Sequence, residues 1–160
     1  MVVIKSSFEE KKELIVLLRL IVGLIWFGTV LRRLFTPNFN NFEERISQMA
    51  QGPSLYPNPI MDVAINNWFM IFLIVLSLEI ISSISLLSGS LARGGALLAT
   101  INGFLIGLAG IGLSIIDLLI PWTAAAISLF LFLFSHPGFY YGVDERLKKK
   151  NLPYWIKIMM

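Results

Sequence analysis

The sequence predicts an all-α integral membrane protein, a four-helix bundle with a structured outer loop that contains a short interfacial helix. Three observations carry that expectation. Hydrophobic residues make up 56% of the 160 positions and charged residues only 14%, whereas a soluble domain uses about a quarter charged residues to cover its surface. Mean hydropathy is +0.77. Four apolar stretches also approach the roughly 20 helical residues that a bilayer core of about 30 Å requires.

The first stretch spans residues 14–35 and follows Ser7-Phe8-Glu9-Glu10, where Ser7 and Glu10 have capping-box spacing, so the helix is expected to start near Phe8. It is too long for a signal-peptide core, and Arg32-Arg33 follows it rather than a small-residue cleavage site, so a retained membrane helix is expected. The second stretch covers residues 68–87 and runs into Ser88-Gly89-Ser90, and the third covers 94–116. The fourth covers 121–136, with Pro121 expected in its first turn. A tight turn around Asp117 should make helices three and four antiparallel neighbours.

Lys and Arg set the orientation. Lys5, Lys11, Lys12, Arg93, Arg146, Lys148, Lys149, Lys150 and Lys157 fall on one side, against Arg32, Arg33 and Arg45 on the other. Both termini are therefore expected in the cytoplasm, with residues 142–160 a basic tail at the lipid headgroups. A net charge of +3 on so apolar a chain does not point to nucleic acid. The outer segment, residues 36–67, carries Phe42, Ile46 and Met49 at helical spacing among Glu43, Glu44, Arg45 and Gln48, the pattern of a helix lying along the interface.

The chain has no cysteine and one histidine, so the sequence leads us to expect no metal or haem bound by this chain. The candidates for chemistry are membrane-embedded polar residues. Glu79 lies about twelve residues into the second helix, a depth of roughly 18 Å, and must find a partner inside the protein. Arg19 is the expected partner and Arg93 the second candidate, with Ser82 and Ser83 on the Glu79 face. Two readings stand: an ion pair that fixes helix register, or a quinone or proton-relay pocket of Glu79, Arg19, Arg93 and His136. Arg32, Arg33 and Arg45 read either as helix-end cations or as an oxyanion-binding cluster. Gly95, Ala99, Gly103 and Gly107, four apart, read as a helix-packing seam, and Asn102 beside them as an interhelical hydrogen bonder.

The ordered motifs carry a resemblance. Leu18-Arg19-Leu20-Ile21-Val22-Gly23-Leu24-Ile25-Trp26 opens the first helix, and Arg32 or Arg33 closes it. The second helix has Ser77-Leu78-Glu79-Ile80, then Leu86-Leu87-Ser88-Gly89 leading to Arg93. Over residues 14–134 the chain resembles the DoxX/DoxD-like family of four-helix membrane proteins. The outer segment before Asn66-Asn67-Trp68-Phe69 looks like that of the archaeal-type DoxD subunit. The resemblance implies a membrane subunit of a thiosulfate:quinone oxidoreductase, with thiosulfate oxidised to tetrathionate outside and quinone, a substrate, reduced in the membrane. It implies membrane lipid and a DoxA-like subunit as partners, and it places Arg19, Arg32 and Glu79 on the recurring polar positions. The alternative it leaves open is a non-catalytic accessory subunit held against terminal oxidase subunits.

Overall fold

The computed structural model describes residues 2–35, 43–44, 46–48, 58–109, 115–134, 141–147, 153 and 156, with backbone alone at 2–11, 58–61, 109 and 115–118. Helix α1 is Val2–Phe35, α2 Asn58–Asn66, α3 Trp68–Ser88, α4 Ala92–Ala109, α5 Ile115–Phe134 and α6 Val143–Leu147. No strand occurs among the described residues. Two spans, Lys12–Phe35 and Trp68–Ser88, are long and apolar enough to cross a membrane, and Ala92–Leu108 and Leu119–Phe134 are shorter apolar helices.

The four long helices pack in cyclic order: α1 on α3, α3 on α4, α4 on α5, and α5 back on α1, the last seam being the least packed. Much of the outer surface is apolar, and the interior mixes apolar side chains such as Val22, Trp26, Leu86 and Leu131 with polar ones. Leu24, Leu34, Met70, Ile84, Leu119 and Phe134 are exposed, whereas Arg19, Glu79, Ser82, Asn102, Ser128 and Asp144 are buried. Much of the buried polarity is satisfied locally. Thr100 Oγ1 donates to Ala96 O at 2.8 Å and Ser128 Oγ to Ala124 O at 2.6 Å, each hydroxyl bonding the carbonyl one turn back.

Several boundaries differ from the sequence expectation. Helix α1 starts at Val2, so Ser7 and Glu10 lie inside it and do not cap it; no Gly or Pro interrupts residues 2–12 to stop the helix. The third helix is described over Ala92–Ala109, and residues 110–114 of its expected stretch lie outside the described residues. The fourth helix starts at Ile115, which puts Asp117 in its first turn and Pro121 inside it. A proline this near a helix start disturbs only the carbonyl four residues earlier, that of Asp117, so the helix continues through it. The expected tail of this helix to residue 136 lies outside the described residues.

The outer segment is helical at 43–44 and 46–48, with Ile46 buried and Gln48 Nε2 donating to Glu44 Oε1 at 3.3 Å. Phe42, Arg45 and Met49 lie outside the described residues. Helix α2, not anticipated in the sequence, runs almost unbroken into α3: Asn67 N donates to Val63 O at 3.0 Å and Ile71 N to Asn67 O at 3.1 Å.

The small residues of α4 do form close contacts, but not all against one neighbour. A Cβ on Gly95 would stand 2.5 Å from Ser85 Cβ of α3, whereas one on Gly103 would stand 2.9 Å from both Ala125 Cβ and Pro121 O of α5. One on Gly107 would stand 2.8 Å from Trp122 Nε1. A four-residue step advances about 40° beyond a full turn at 3.6 residues per turn, so the stripe winds from α3 to α5 as it climbs. Ala99, midway, is fully buried.

A matched pair of substitutions checks this packing. Gly103→Val must displace backbone and is expected to destabilise the protein by about 2 kcal/mol. Gly28→Ala, whose Cβ meets nothing within 4 Å, is expected to be neutral or to stabilise by up to about 1 kcal/mol. Thermal unfolding midpoints of the purified protein read both, and equal behaviour would refute the seam.

Candidate functional site: a charged cavity between the helices

Glu79 lies eleven residues beyond Trp68 on α3 and is completely buried. Its partner is Arg33, whose Nε donates to Oε2 at 2.9 Å and to Oε1 at 3.1 Å. The Arg33 side chain keeps 23% of its surface exposed and the Glu79 side chain none. One charge is therefore sealed by the helices while the other opens onto space beside them.

The register of α1 against α3 produces this pairing. Gly23 abuts Leu86 and Leu87, so close that a Cβ would come within 2.9 Å of Leu87 Cδ2. Ten residues further along α1, the antiparallel partner is then close to Glu79, and the last turn of α1 supplies Arg33 there. The expected Arg19–Glu79 pair is corrected by the same register. Arg19 sits beside Gly89, where a Cβ would stand 2.6 Å from Arg19 Nη1. Gly89 is ten residues along α3 from Glu79, roughly 15 Å. With no short loop between α1 and α3 to fix their offset, the sequence estimate aligned the apolar ends of the two helices and missed by more than two turns.

A cavity of about 130 Å³ lies against the pair, walled by Trp26, Thr29, Arg32, Arg33, Glu79 and Pro121 among others. The arginines and the carboxylate, expected as separate oxyanion and quinone sites, thus line a single cavity. Trp26 is 2% exposed, and its indole N–H has no hydrogen-bond partner among the described residues. Thr29 Oγ1 donates to Trp26 O at 2.7 Å. Ser82 Oγ and both polar atoms of Asn102 are likewise buried without partners, so Asn102 makes none of the interhelical bonds expected of it among the described residues. Ser83 Oγ donates to Ile80 O at 2.9 Å, not to Glu79.

Arg93 stands elsewhere. Its Nε donates to Phe132 O at 2.9 Å, with the guanidinium carbon 5.3 Å from the centre of the Phe132 ring. It binds a carbonyl in the last turn of α5, as cations at helix ends do, and contributes nothing to the Glu79 pair. His136 and Arg45 lie outside the described residues.

A second charged centre was not singled out in the sequence. Asp144 of α6 is fully buried, and its Oδ1 and Oδ2 accept hydrogen bonds from Leu91 N at 2.8 Å and Ala92 N at 3.0 Å. Asp144 N donates in turn to Gly89 O at 2.9 Å. The carboxylate thereby caps the N-terminus of α4 from 52 residues away, where helix N–H groups are otherwise orphaned. The backbone accommodates it through left-handed Gly89 and Leu91, at φ 67° and 50°. Burial pushes the Asp144 carboxyl above the ordinary carboxylate range, against the opposing pull of the Ala92 and Leu91 N–H groups and the Arg19 charge. The basic tail expected from residue 142 thus begins as a docked helix. Its Asp-Glu-Arg run reads locally as a solvated turn, and only a contact distant in sequence distinguishes Asp144 within it.

Among the described residues no three His, Asp or Glu side chains converge to hold a metal ion. No family model, no curated protein and no solved structure matches this chain.

Two predictions follow from these centres. Arg33→Leu is expected to destabilise the protein by about 3 kcal/mol, because the Glu79 carboxylate stays buried without its ion-pair partner, and Glu79→Leu by less, because Arg33 keeps part of its surface exposed. The double Arg33→Leu/Glu79→Leu variant is expected to recover most of that loss, and losses that merely add in a thermal double-mutant cycle would refute the pair. At the inner centre, a raised carboxyl pKa means that the folded state binds a proton more readily than the unfolded state. Stability is then fullest below the unfolded pKa and is lost as pH rises through the folded one. The unfolding midpoint is expected to rise as pH falls from neutral to mildly acidic, and Asp144→Asn is expected to flatten that rise.

Proposed function

We propose that the chain is a four-helix membrane bundle with cytoplasmic termini, whose Arg33–Glu79 cavity receives a quinone head group. We further propose that it serves as the DoxD-like membrane subunit of a thiosulfate:quinone oxidoreductase. The observation that carries this reading is one cavity lined by buried Glu79, two arginines and Trp26, whose indole N–H has no hydrogen-bond partner among the described residues. Its volume of about 130 Å³ compares with the cavity of about 150 Å³ that accepts benzene in another protein, so one six-membered ring is accommodated. The many exposed large apolar side chains and the base-rich flanks support the membrane placement.

The chemistry balances as two thiosulfate ions giving tetrathionate and two electrons, and a quinone taking those two electrons and two protons. In this reading Trp26 Nε1 donates to one ring carbonyl, and Glu79 relays protons to the ring oxygen. Arg33 orients the carboxylate through its two contacts. Arg32, exposed at the rim of the same cavity, attracts the sulfur oxyanion with a planar fork suited to paired oxygens. Electrons pass between the two substrates directly or through a DoxA-like partner subunit.

The second reading, an accessory subunit of a terminal quinol oxidase, is favoured by one observation. The inner half, locked by Asp144 and the α4 seam, is built as a rigid scaffold.

Thiosulfate-dependent reduction of decyl-ubiquinone by the chain purified with its partner subunit tests the proposal. Glu79→Gln is expected to lower the rate by about 100-fold, and Arg32→Ala to raise the KM for thiosulfate while sparing that for quinone. Undiminished activity in both variants would overturn the assignment of this cavity. An inert assay together with copurification of a haem–copper oxidase would establish the accessory reading instead.

A further inference from the structure

The cavity is not closed on all sides. A groove of about 470 Å³ runs over the least packed seam, between α1 and α5, lined by Leu24, Gly28, Arg32, Leu119 and Thr123. It shares Ile25, Thr29, Arg32 and Ile120 with the cavity wall, so groove and cavity adjoin along the α1–α5 seam. Gly28 forms its floor: the residue is exposed, and a Cβ there would meet nothing within 4 Å. Leu24 and Leu119 flank it at 59% and 58% exposure.

We infer that this groove seats the isoprenoid tail of the quinone whose ring occupies the cavity, and that the α1–α5 seam is the lateral entrance from the bilayer; the inference rests on the quinone reading of that cavity. The shape selects the ligand class. A phospholipid chain fills the groove and leaves the charged cavity empty, and a small oxyanion does the reverse. A molecule with one polar ring and a long apolar tail fills both. Arg32 stands where groove and cavity meet, so polar ring atoms pass it before reaching Glu79.

The tail gains little by leaving lipid for the groove, because acyl chains are as apolar as the leucines that line it. The groove therefore governs which molecules fit more than how tightly they bind. A plug in it should act on tailed quinones alone.

Gly28→Phe supplies the plug, and Ile84→Phe, which places the same ring on an exposed position of α3 outside groove and cavity, is the folding control. The full chain in lipid nanodiscs is titrated with a tailless dimethoxy-methyl-benzoquinone and with its decyl analogue, at matched concentrations in the lipid, and tryptophan quenching is read. Gly28→Phe is expected to weaken decyl-quinone binding by about ten-fold or more, the scale of one overpacked contact. Tailless binding should be unchanged, and Ile84→Phe should match the native chain for both ligands. Equal decyl-quinone binding in Gly28→Phe and the native chain would overturn the groove assignment, leave the cavity reading standing, and make lipid the groove's occupant. Equal loss of both ligands in Gly28→Phe would also overturn it. If the native chain binds neither quinone, the cavity reading falls and the groove assignment falls with it.

Discussion

Helix α1 is held by charge at two levels, and the rest of the architecture is arranged around that constraint. Near its C-terminal end Arg33 clasps Glu79 with two contacts; fourteen residues earlier Arg19 lies against Gly89 and acts on buried Asp144. That separation is about 21 Å of helix. With the outer surfaces of the long helices apolar, each charge has a lower free energy inside among partners than outside. A rotation or slip of α1 by one residue would carry Arg33 away from Glu79 and Arg19 away from the field of Asp144. The two centres together therefore specify a register that apolar packing alone would leave loosely defined.

The interior around these charges is shaped by small side chains. Gly23 lets α1 approach α3, Gly95 lets α4 approach α3, and Gly103 lets α4 approach α5 to the carbonyl of Pro121. On the far side of α1 the same device works in the opposite sense. Gly28 meets no neighbour, and the α1–α5 seam opens where the other three close. The cavity persists because α1 ends in a charged turn at the level of Glu79 while α3 continues outward to Trp68.

The long elements were legible in the sequence because apolar runs of membrane length have few alternatives. The second helix was expected at 68–87 and is found at Trp68–Ser88. The burial of Glu79 was legible for the same reason, since a carboxylate midway along such a run has nowhere else to go. Its partner was not. Choosing between Arg19 and Arg33 needs the offset between α1 and α3, and the long segment between them leaves that offset to packing at Gly23. Asp144 was hidden for a related reason: its acceptor role depends on a loop 52 residues earlier adopting left-handed geometry at Gly89 and Leu91. Pro121 misled because proline is equally at home at the start of a helix and in its second turn.

The two charged centres differ in a way that separates site from strut. Asp144 is sealed, and both its oxygens are taken by backbone N–H groups at the start of α4, so no ligand can reach it without dismantling a helix cap. Glu79 is just as deeply buried, but its partner is partly exposed and both face a cavity. A buried ion pair is weak evidence for stability, because two well-packed apolar residues in its place are often as stable or more so. What apolar replacements cannot supply is an arginine open to that cavity with a carboxylate sealed behind it. That difference makes the Arg33–Glu79 pair the place to seek chemistry and the Asp144 centre a helix cap that holds the packing around it.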